Sequence, residues 1–473
     1  MRRGATRRDF LRMAGAGVLG MSVAACVPTP TPTTAPAEVG PTDTPVPEGK
    51  PTPAAKAGPV EIVYGAYSFV PEKQQVIMDE FNKSQPDVHV TAQFAPWDAY
   101  WTKIETMAAA GQAFGDVFMG SFHINLHYAS RGMLLTLDPY VERDQFPIDN
   151  FFPQAVANTR WEKGRIATGT GKLFGLPFNH QTANCFYYNK TIFDEEGVSY
   201  PDDTWTWDTM LETAKNMTVD EDGDGSPERW GLMISGGLLW RGGQTFIWQA
   251  GGEVWDEPDF TKTLIGSDEA RSALQFMADL VLKHKVAPPP GTFPQFDPFT
   301  TGQVVMGYEG SWQAAGVYQD ITEFDWDIAW IPKHPTTGFA YIDAGNEDSF
   351  NISAQSKEPD GAWELLKFIT AGKGGEMWCQ EINADFAYIP TVEKYTYTKE
   401  RTKPPLNFHL LIDLFDKWGK PKISFTGIME AMTAAGEEWG PVLLGERTVD
   451  EAVDALVPRF TEILDKAWEE AKG

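Results

Sequence analysis

The sequence predicts an α/β protein of two lobes with a cleft between them. At 473 residues, the chain is too long for one simple hydrophobic core, so two lobes or domains are expected. From residue 60 onward, segments with strand and helix patterns alternate, which is typical of a parallel α/β sheet. Residues 171–190 (GKLFGLPFNHQTANCFYYNK) lack a helical period, and their extended pattern indicates a crossing from one lobe to the other.

The chain is strongly acidic, with a formal net charge of −27. A surface of that charge repels nucleic acid and anionic lipid, so we expect no nucleic-acid partner and favour neutral or cationic ligands. The 17 Trp and 29 Phe are a high aromatic content. Part of it fills the core, and the surplus of Trp suits stacking on sugar rings.

Residues 1–25 have the pattern of a twin-arginine lipoprotein signal peptide. Arg7 and Arg8 precede an uncharged segment, residues 13–25, that is too short to be a stable membrane span. This segment ends in VAAC, which places Cys26 as the acylated cysteine of a lipobox. Arg7 and Arg8 alone could be a chance basic pair, but with the apolar run and Cys26 they predict export of the folded protein as a lipoprotein.

Residues 26–59 are rich in Pro, Thr and Ala and cannot bury a core. We therefore expect a lipidated, extended tether that holds the folded body away from the membrane. Two cysteines remain in the body, Cys185 and Cys379. An exported protein can form a disulfide, but the separation of these two favours buried free thiols, and no zinc-ligand spacing occurs.

The first lobe is predicted to begin at residue 60. Residues 60–64 and 88–94 alternate like strands, and residues 115–119 indicate a buried strand, with helical patterns between them. Ligands of such sheets bind beyond the carboxyl ends of the strands. The loops that follow strand ends are residues 67–69 and 120–123.

The crossing segment carries three side chains that can hydrogen-bond a ligand. Pro177 is expected to end the secondary-structure element that precedes it, because proline fixes φ and lacks an N–H donor. Asn179, His180 and Gln181 follow where the chain would cross. The seam between two lobes is a common place for a ligand cleft, so these three residues are candidate contacts.

The second lobe begins with a helix predicted over residues 207–217, capped by Thr206. Further on, a β-like run stops at Gly310, and Trp312 opens the next helical segment. A Trp in that position can project into a cleft, and a core Trp is the alternative. The return crossing is predicted over residues 342–352. Helices are predicted in the tail over residues 406–418, 428–444 and 449–470, the last with a capping box of Thr448 and Glu451.

An acidic loop lies between the first helix and the first strand of this lobe. Asp220, Asp222 and Asp224, with Gly225 in the sixth position, are similar to the first half of a calcium-binding loop. The twelfth position is Gly231, where an EF-hand needs a bidentate glutamate. A structural calcium site is one interpretation, and a solvated acidic turn is the other.

The order of several motifs resembles a known family over residues 60–472. The motifs are GDVFMGS (115–121), GKLFGLPF with FYYNK (171–190), TWTWDTMLETAK (204–215), GQVVMGYEGSW (302–312) and AWELLKFI (362–369). In this order, behind a lipobox and a Pro/Thr tether, they resemble the extracellular solute-binding proteins of ABC sugar importers. The group is the maltose-binding-protein-like family 1, in its lipoprotein form.

The resemblance implies a periplasmic-binding-protein-like fold whose lobes are joined by crossing hinge segments and close over a ligand. It also implies a monomer that captures a mono- or oligosaccharide, delivers it to an ABC permease and needs no cofactor. The lipid anchor would hold it on the outer face of the cytoplasmic membrane. The implied domains are residues 60–178 (lobe 1), 179–343 (lobe 2), 344–404 (return to lobe 1) and 405–473 (helices packing mainly on lobe 2).

The resemblance also assigns ligand contacts. They are Tyr67, Ser68, Ser121, Phe122, Asn179, His180, Gln181, Trp240, Arg241, Trp312, Gly345 and Asn346. Trp312 is the most specific of them, because the family places a stacking aromatic after this glycine motif. The maltose-type site has carboxylates at the crossing, where this chain has Asn-His-Gln-Thr. It also has an aromatic residue on the C-terminal helices, where this chain has Met429 and Met432. The sequence therefore does not single out maltose as the sugar.

Two other functions are compatible with parts of the pattern. The same fold could bind a peptide, a polyamine or another small solute. A surface-anchored glycosidase would need two carboxylates about 5–10 Å apart across a sugar. Glu309 is the nearest candidate, and no partner for it can be assigned, so we expect no enzymatic activity.

Overall fold

The computed structural model places residues 56–473 in one compact unit. The signal peptide, Cys26 and nearly all of the tether lie outside the described residues. The structure describes residues 58–68, 70–112, 114–234, 237–239, 242–293, 297–344, 348–382 and 385–472.

Strands and helices alternate through the first part of the chain and again through the second, as predicted. The strands are β1 (Val60–Tyr67), β2 (Val88–Ala95), β3 (Val117–Ser121), β4 (Arg160–Trp161), β5 (Lys172–Leu173), β6 (Leu176–Pro177), β7 (Cys185–Asn189), β8 (Trp230–Met233), β9 (Val304–Glu309), β10 (Trp326–Ala329), β11 (Ile342–Ala344), β12 (Asp348–Ile352) and β13 (Gly419–Pro421).

Helices occur between the strands throughout the chain, and the last part of the chain is mainly helical. They are α1 (Pro71–Ser84), α2 (Trp97–Ala109), α3 (Phe122–Ser130), α4 (Asp138–Asp144), α5 (Pro153–Asn158), α6 (Lys190–Glu195), α7 (Trp207–Met217), α8 (Gly243–Gln249), α9 (Asp268–Leu282), α10 (Pro359–Thr370), α11 (Lys373–Met377), α12 (Ile389–Tyr395), α13 (Leu410–Trp418), α14 (Ile428–Leu443) and α15 (Val449–Lys472).

The first lobe contains a five-stranded sheet in the order β2-β1-β3-β12-β6. Strand β1 is parallel to β2 and β3, whereas β12 runs antiparallel to β3 and β6. In this register Tyr67 lies opposite Ala95, and Ser121 lies opposite Asp348. The carboxyl ends of β1, β2 and β3 therefore share one edge with the start of β12.

The second lobe contains a four-stranded sheet in the order β10-β7-β9-β8. Strands β8 and β9 are parallel, and β7 is antiparallel to β9, with Cys185 opposite Glu309. The carboxyl ends of β8 and β9 thus share an edge with the start of β7. Residues 178–184 run from the end of β6 to the start of β7, so the two edges meet at this crossing segment. The two-lobed α/β fold is confirmed.

The predicted helix caps are present. Thr206 accepts a hydrogen bond from the backbone N–H of Thr209. Thr448 and Glu451 form a reciprocal capping box, with N···O distances of 2.9 and 3.2 Å. Helix α2 begins at Trp97, directly after Pro96.

The C-terminal helices contact the helix α9 of the second lobe. Arg271 of α9 pairs with Asp450 at 2.8 Å, and the indole N–H of Trp468 donates to the carbonyl of Phe260 at 2.9 Å. Cys185 and Cys379 are buried free thiols, as predicted. Within the described residues, no helix combines the length and the apolar character that a bilayer crossing requires.

Candidate ligand site between the two lobes

Tyr67 lies at the edge of the first-lobe sheet that borders the candidate site. It is the last residue of β1, its side chain is mostly buried, and its hydroxyl donates to Asp348 Oδ2 at 2.7 Å. Asp348 reaches this position because β12 is antiparallel and begins where β1 ends. Burial, and then the Asp348 charge, raise the pKa of Tyr67 well above its usual value, so the phenol stays protonated and donates.

The other predicted residues of the first lobe lie along the same edge. Ser68 is exposed, and its backbone N–H donates to the carbonyl of Ala95 at 2.8 Å. Ser121 is the last residue of β3 and is buried opposite Asp348. Phe122 is the first residue of α3. The structure thus brings both predicted loops to the edge that faces the crossing segment.

Asn179 joins the crossing segment to the first sheet. Its side chain is buried, and Oδ1 accepts a hydrogen bond from the backbone N–H of Asp348 at 2.7 Å. Its backbone forms a β-bridge with Phe386. In this conformation Asn179 holds the position at which the chain leaves the first lobe.

His180 lies inside the hinge. Its side chain is fully buried, with the ring stacked on Phe152 at 4.3 Å between centroids and 4.2 Å from Phe415. Both Phe residues are distant from His180 in the sequence, so the local sequence gives no sign that they bury it. For this reason the sequence suggested an accessible His. In this conformation the imidazole does not reach the cleft surface.

Asp385 joins the crossing segment to the second lobe. Its carboxylate accepts hydrogen bonds from the Gln181 amide at 2.7 Å and from the Ser311 hydroxyl, and its carbonyl accepts from the His180 N–H at 3.0 Å. Asp385 is fully buried, and burial raises the pKa of its carboxyl to about 6, although hydrogen bonds from Ser311 and Gln181 oppose the rise.

The second-lobe edge is built by the turn after β9. The backbone N–H of Ser311 donates to the carbonyl of Thr182 at 2.9 Å, which places the turn against the crossing segment. Trp312 is half-buried in a 3-10 turn, and its indole lies over Gly310, where a Cβ atom would be 2.1 Å from Cε2. Gly310 is therefore needed for this Trp312 position. Glu309 is buried, and its carboxylate accepts from the N–H of Gly310 at 2.9 Å.

Asp343 holds the far end of the crossing segment to β11. Its buried carboxylate accepts from the Thr182 hydroxyl at 2.8 Å, the Ala183 N–H at 2.9 Å and the Asn184 amide at 3.2 Å. The ammonium of Lys422, also buried, is 3.9 Å away. These contacts fix where the second lobe begins.

Four predicted contacts have no described position. Trp240, Arg241, Gly345 and Asn346 lie outside the described residues.

Three residues of the candidate site were not predicted from the sequence. Trp97 follows the carboxyl end of β2, and its ring is 4.8 Å from that of Tyr67. A Trp directly after an alternating strand was a signal that could have identified it. Asp348 and Asp385 reach the site through antiparallel register and chain return, for which a single sequence carries no signal.

The geometry is that of a two-lobed receptor, and a family model agrees with it. The model described as bacterial extracellular solute-binding protein matches residues 68–376, more than half of the chain. The chain belongs to this family.

Curated and solved relatives are similar to this solute-binding protein at low sequence identity. The erythritol/L-threitol-binding protein of Mycolicibacterium smegmatis is 26% identical over 176 residues, which is 36% of this chain and about a third (35%) of that protein. An ABC substrate-binding protein of Listeria monocytogenes in complex with cycloalternan has a TM-score of 0.73 at 24% identity, covering 86% of this chain and 99% of that one. A Thermotoga lettingae solute-binding protein with bound α-D-tagatose has a TM-score of 0.71 at 19% identity, covering 86% and 100%.

The acidic loop of this solute-binding protein brings three exposed carboxylates together. Ligand atoms of Asp220, Asp222 and Asp224 lie within 4.8 Å of one another, and oxygen donors of this kind suit calcium. Gly231, the twelfth position, lies in β8, where a Cβ atom would be 2.0 Å from the carbonyl oxygen of Ala214. The bidentate glutamate of an EF-hand therefore cannot be accommodated.

Proposed function

We propose that this solute-binding protein captures a mono- or oligosaccharide between its lobes by hinge closure and delivers it to an ABC permease. The observation that carries the proposal is the arrangement of Tyr67 and Trp97 on one lobe edge and Trp312 on the other, with the crossing segment between them.

The chemistry of a sugar matches this arrangement. A pyranose presents C–H faces that pack on aromatic rings, and hydroxyls that need directed donors and acceptors. Ser68, next to Tyr67 in the chain, is exposed, and its hydroxyl can supply such a group. Gln181 is half-buried in the crossing segment, where its amide N–H donates to Asp385. The carboxylate of Asp385 is fully buried and accepts hydrogen bonds from Gln181 and Ser311, so it does not offer a surface charge to a cationic polyamine.

The relatives support the same ligand class. The names of three of them specify erythritol or L-threitol, cycloalternan and α-D-tagatose. All three ligands are rich in hydroxyl groups. For this chain, a carbohydrate is therefore the ligand class we propose.

Hinge closure has a structural basis in the crossing segment. Asn179 is bonded to Asp348 of the first lobe, whereas Thr182 is bonded to Ser311 and Asp343 of the second. A ligand that contacts both edges would bind the closed state more tightly than the open one, and this differential affinity would shift the population toward closure.

We further propose that the mature protein is a monomer, anchored through lipidated Cys26 to the outer face of the cytoplasmic membrane. The twin-arginine pattern, the VAAC sequence and the Pro/Thr-rich tether support this location. Cys26→Ala should move the protein from the membrane fraction to the soluble fraction without changing ligand affinity. A Cys26→Ala protein that remained in the membrane fraction would contradict lipid anchoring.

A thermal-shift screen tests the ligand class. Mono- and oligosaccharides are compared with peptides and polyamines, and a ligand at 100 times its Kd stabilises the folded state by about 2.7 kcal/mol. We expect a shift with a sugar that disappears in Trp312→Ala and persists in the control Tyr200→Ala. Tyr200 is a suitable control because it lies beyond Asn189, at the opposite edge of the second sheet.

Two results would contradict the proposal. A rise in melting temperature with peptides or polyamines, and none with sugars, would mean that the two-lobed protein binds a ligand of another class. Conversion of the bound sugar to a product would indicate a glycosidase, with Glu309 as the first residue to test.

A further inference from the structure

Asp385 connects the two lobes beside the crossing segment. The residue after it, Phe386, forms a β-bridge with Asn179, so the backbone at this point belongs to the first lobe. The carboxylate accepts a hydrogen bond from the hydroxyl of Ser311, which lies just after β9 in the second lobe. Its other oxygen accepts from the Gln181 amide at 2.7 Å, in the crossing segment itself. One fully buried residue therefore links the first lobe, the second lobe and the hinge between them.

The turn that carries Trp312 is attached to the first lobe at two points. Ser311 precedes Trp312 in a 3-10 turn, and its hydroxyl donates to Asp385. Gln319 lies in the next 3-10 turn, and its amide donates to the carbonyl of Ile382 at 3.1 Å. A change in the bond between Ser311 and Asp385 therefore acts directly beside Trp312, the proposed sugar-stacking residue of the second lobe.

Asp385 differs from the other buried carboxylate of the hinge in its bonding partners. The Asp343 carboxylate has the buried ammonium of Lys422 3.9 Å away, which offsets its charge. Among the described contacts, the Asp385 carboxylate is bonded to an amide and a hydroxyl, and neither of these groups carries a charge. Desolvation therefore favours the neutral form of Asp385, and burial raises its pKa to about 6.

Five other titratable groups face the Asp385 carboxyl from the elements packed around it. They are His180 of the crossing segment, Cys185 and Tyr187 of β7, Cys379 of the helical turn before Asp385, and Tyr397 after α12. Burial raises the pKa of both thiols and both phenols, so these four groups stay neutral at pH 7 and below. A charge change in this cluster between pH 5 and pH 7 therefore comes from Asp385 or from His180.

We propose that Asp385 is a positioning residue for Trp312 and that its carboxyl takes up a proton from solvent when a sugar closes the lobes. This inference rests on the proposed carbohydrate function and adds a dependence of that function on pH. The protonated acid donates its O–H to the Ser311 oxygen, because a serine hydroxyl can rotate to accept. The Gln181 amide still donates to the other carboxyl oxygen. Both bonds thus survive protonation, and the buried charge is removed.

The direction of the pH effect follows from the burial of the carboxyl between the lobes. In an open state that separates Ser311 from Asp385, water reaches the carboxyl, which is then ionised above about pH 4. In the described conformation the same carboxyl is buried, and the proton is held up to about pH 6. Asp385 therefore favours the closed state fully below about pH 4, and this contribution is lost as the pH rises through about 6. Sugar affinity should fall about tenfold from pH 5 to pH 7.

Isothermal titration calorimetry of the purified protein tests the inference. The probes are maltotriose, mannotriose and D-tagatose, each titrated at pH 5, 6 and 7 in two buffers that differ in ionisation enthalpy. The difference in measured heat between the two buffers gives the number of protons taken up with the sugar. For the wild type we expect uptake of about 0.8 proton at pH 5 and close to none at pH 7, together with the tenfold fall in affinity.

Two carboxylate-to-amide variants show which group takes up the proton. Asp385→Asn keeps the shape of the neutral acid and cannot ionise, so its sugar affinity should not change with pH and its proton uptake should be close to zero. The control is Asp144→Asn. Asp144 is bonded to Trp363 of α10, and this helix contacts Val60 at the amino end of β1, opposite the edge that borders the crossing segment. This variant should keep the wild-type pH profile.

Four results would contradict the inference. Sugar binding by the wild type with proton release, or with no proton exchange, would remove the pH coupling and leave the carbohydrate function intact. Proton uptake that persists in Asp385→Asn would assign the proton to another group, His180 first. An Asp385→Asn affinity reduced by the same factor at every pH would give Asp385 a structural role alone. Absence of binding by these probes and by every sugar of the thermal-shift screen would remove the carbohydrate function, and this inference with it.

Discussion

The buried carboxyl of Asp385 makes folding stability depend on pH in a way that can be calculated. Burial raises its pKa from 3.8 to about 6. Because the folded state holds this proton more tightly than the unfolded state, the contribution of Asp385 to stability is fully present below about pH 4 and is lost as the pH rises through about 6. A tenfold change in an acid constant is worth about 1.4 kcal/mol, so the total is about 3 kcal/mol.

Asp385→Asn should remove this dependence. Asparagine is close in shape to the protonated acid and can exchange hydrogen bonds with Gln181 and Ser311, whose groups can both donate and accept. We expect the variant to match the wild type near pH 4 and to gain up to about 3 kcal/mol relative to it by pH 7. The assay is urea unfolding at several pH values, followed by Trp fluorescence, with the difference between the two proteins plotted against pH.

A carboxylate of opposite behaviour provides the control. The hydrogen bond from Arg143, assisted by Lys367, holds the pKa of Asp144 well below its usual value. Asp144→Asn should therefore lose stability at pH 7, and the loss should shrink as the pH falls. A difference between Asp385→Asn and wild type that stays constant from pH 4 to pH 7 would refute the link between the burial of Asp385 and the pH dependence of stability.

Three other predictions follow from single contacts. Asn179→Ala leaves the N–H of Asp348 without its acceptor and should lower the free energy of unfolding by about 1–3 kcal/mol, and an unchanged urea midpoint would contradict this role. Gly310→Ala should displace Trp312 and weaken sugar binding in calorimetry, whereas the control Gly436→Ala, where a Cβ atom meets nothing within 4 Å, should leave binding unchanged. If Asp220, Asp222 and Asp224 hold calcium, which is one of the two interpretations of this loop, added Ca²⁺ should raise the melting temperature relative to a chelator. Asp222→Asn should abolish this increase and Glu212→Gln should not, and equal melting temperatures with and without Ca²⁺ would leave the loop a solvated turn.

Local patterns predicted the parts of the fold that depend on neighbouring residues. Thr206 predicted the start of α7, and Thr448 with Glu451 predicted the start of α15, because a cap satisfies backbone N–H groups within one helical turn. The crossing after Pro177 was predicted from the loss of helical period. The loops at Tyr67 and Ser121 followed from the rule on the carboxyl ends of strands.

Contacts between distant segments could not be predicted in the same way. His180 is a residue type that often contacts ligands, and it lies among other polar residues. In the fold, however, Phe152 and Phe415, which are distant from it in the sequence, pack against its ring and bury it. Asp385 reaches the hinge about 200 residues after Gln181, with which it pairs (a sequence separation of 204). Such pairings depend on strand order and chain return, and a single sequence does not encode them in any local pattern.

The contacts of the crossing segment indicate where the two lobes can move. Asn179 is bonded only to first-lobe partners among the contacts described, and Thr182 to second-lobe partners. Between them, His180 and Gln181 bond to Asp385, which is itself bonded to Ser311 of the second lobe. A rotation of the lobes that keeps both sets of bonds must therefore change backbone dihedral angles between Asn179 and Gln181. The Asp385 carboxylate lies directly beside this pivot, so its protonation can act on the equilibrium between open and closed states as well as on folding.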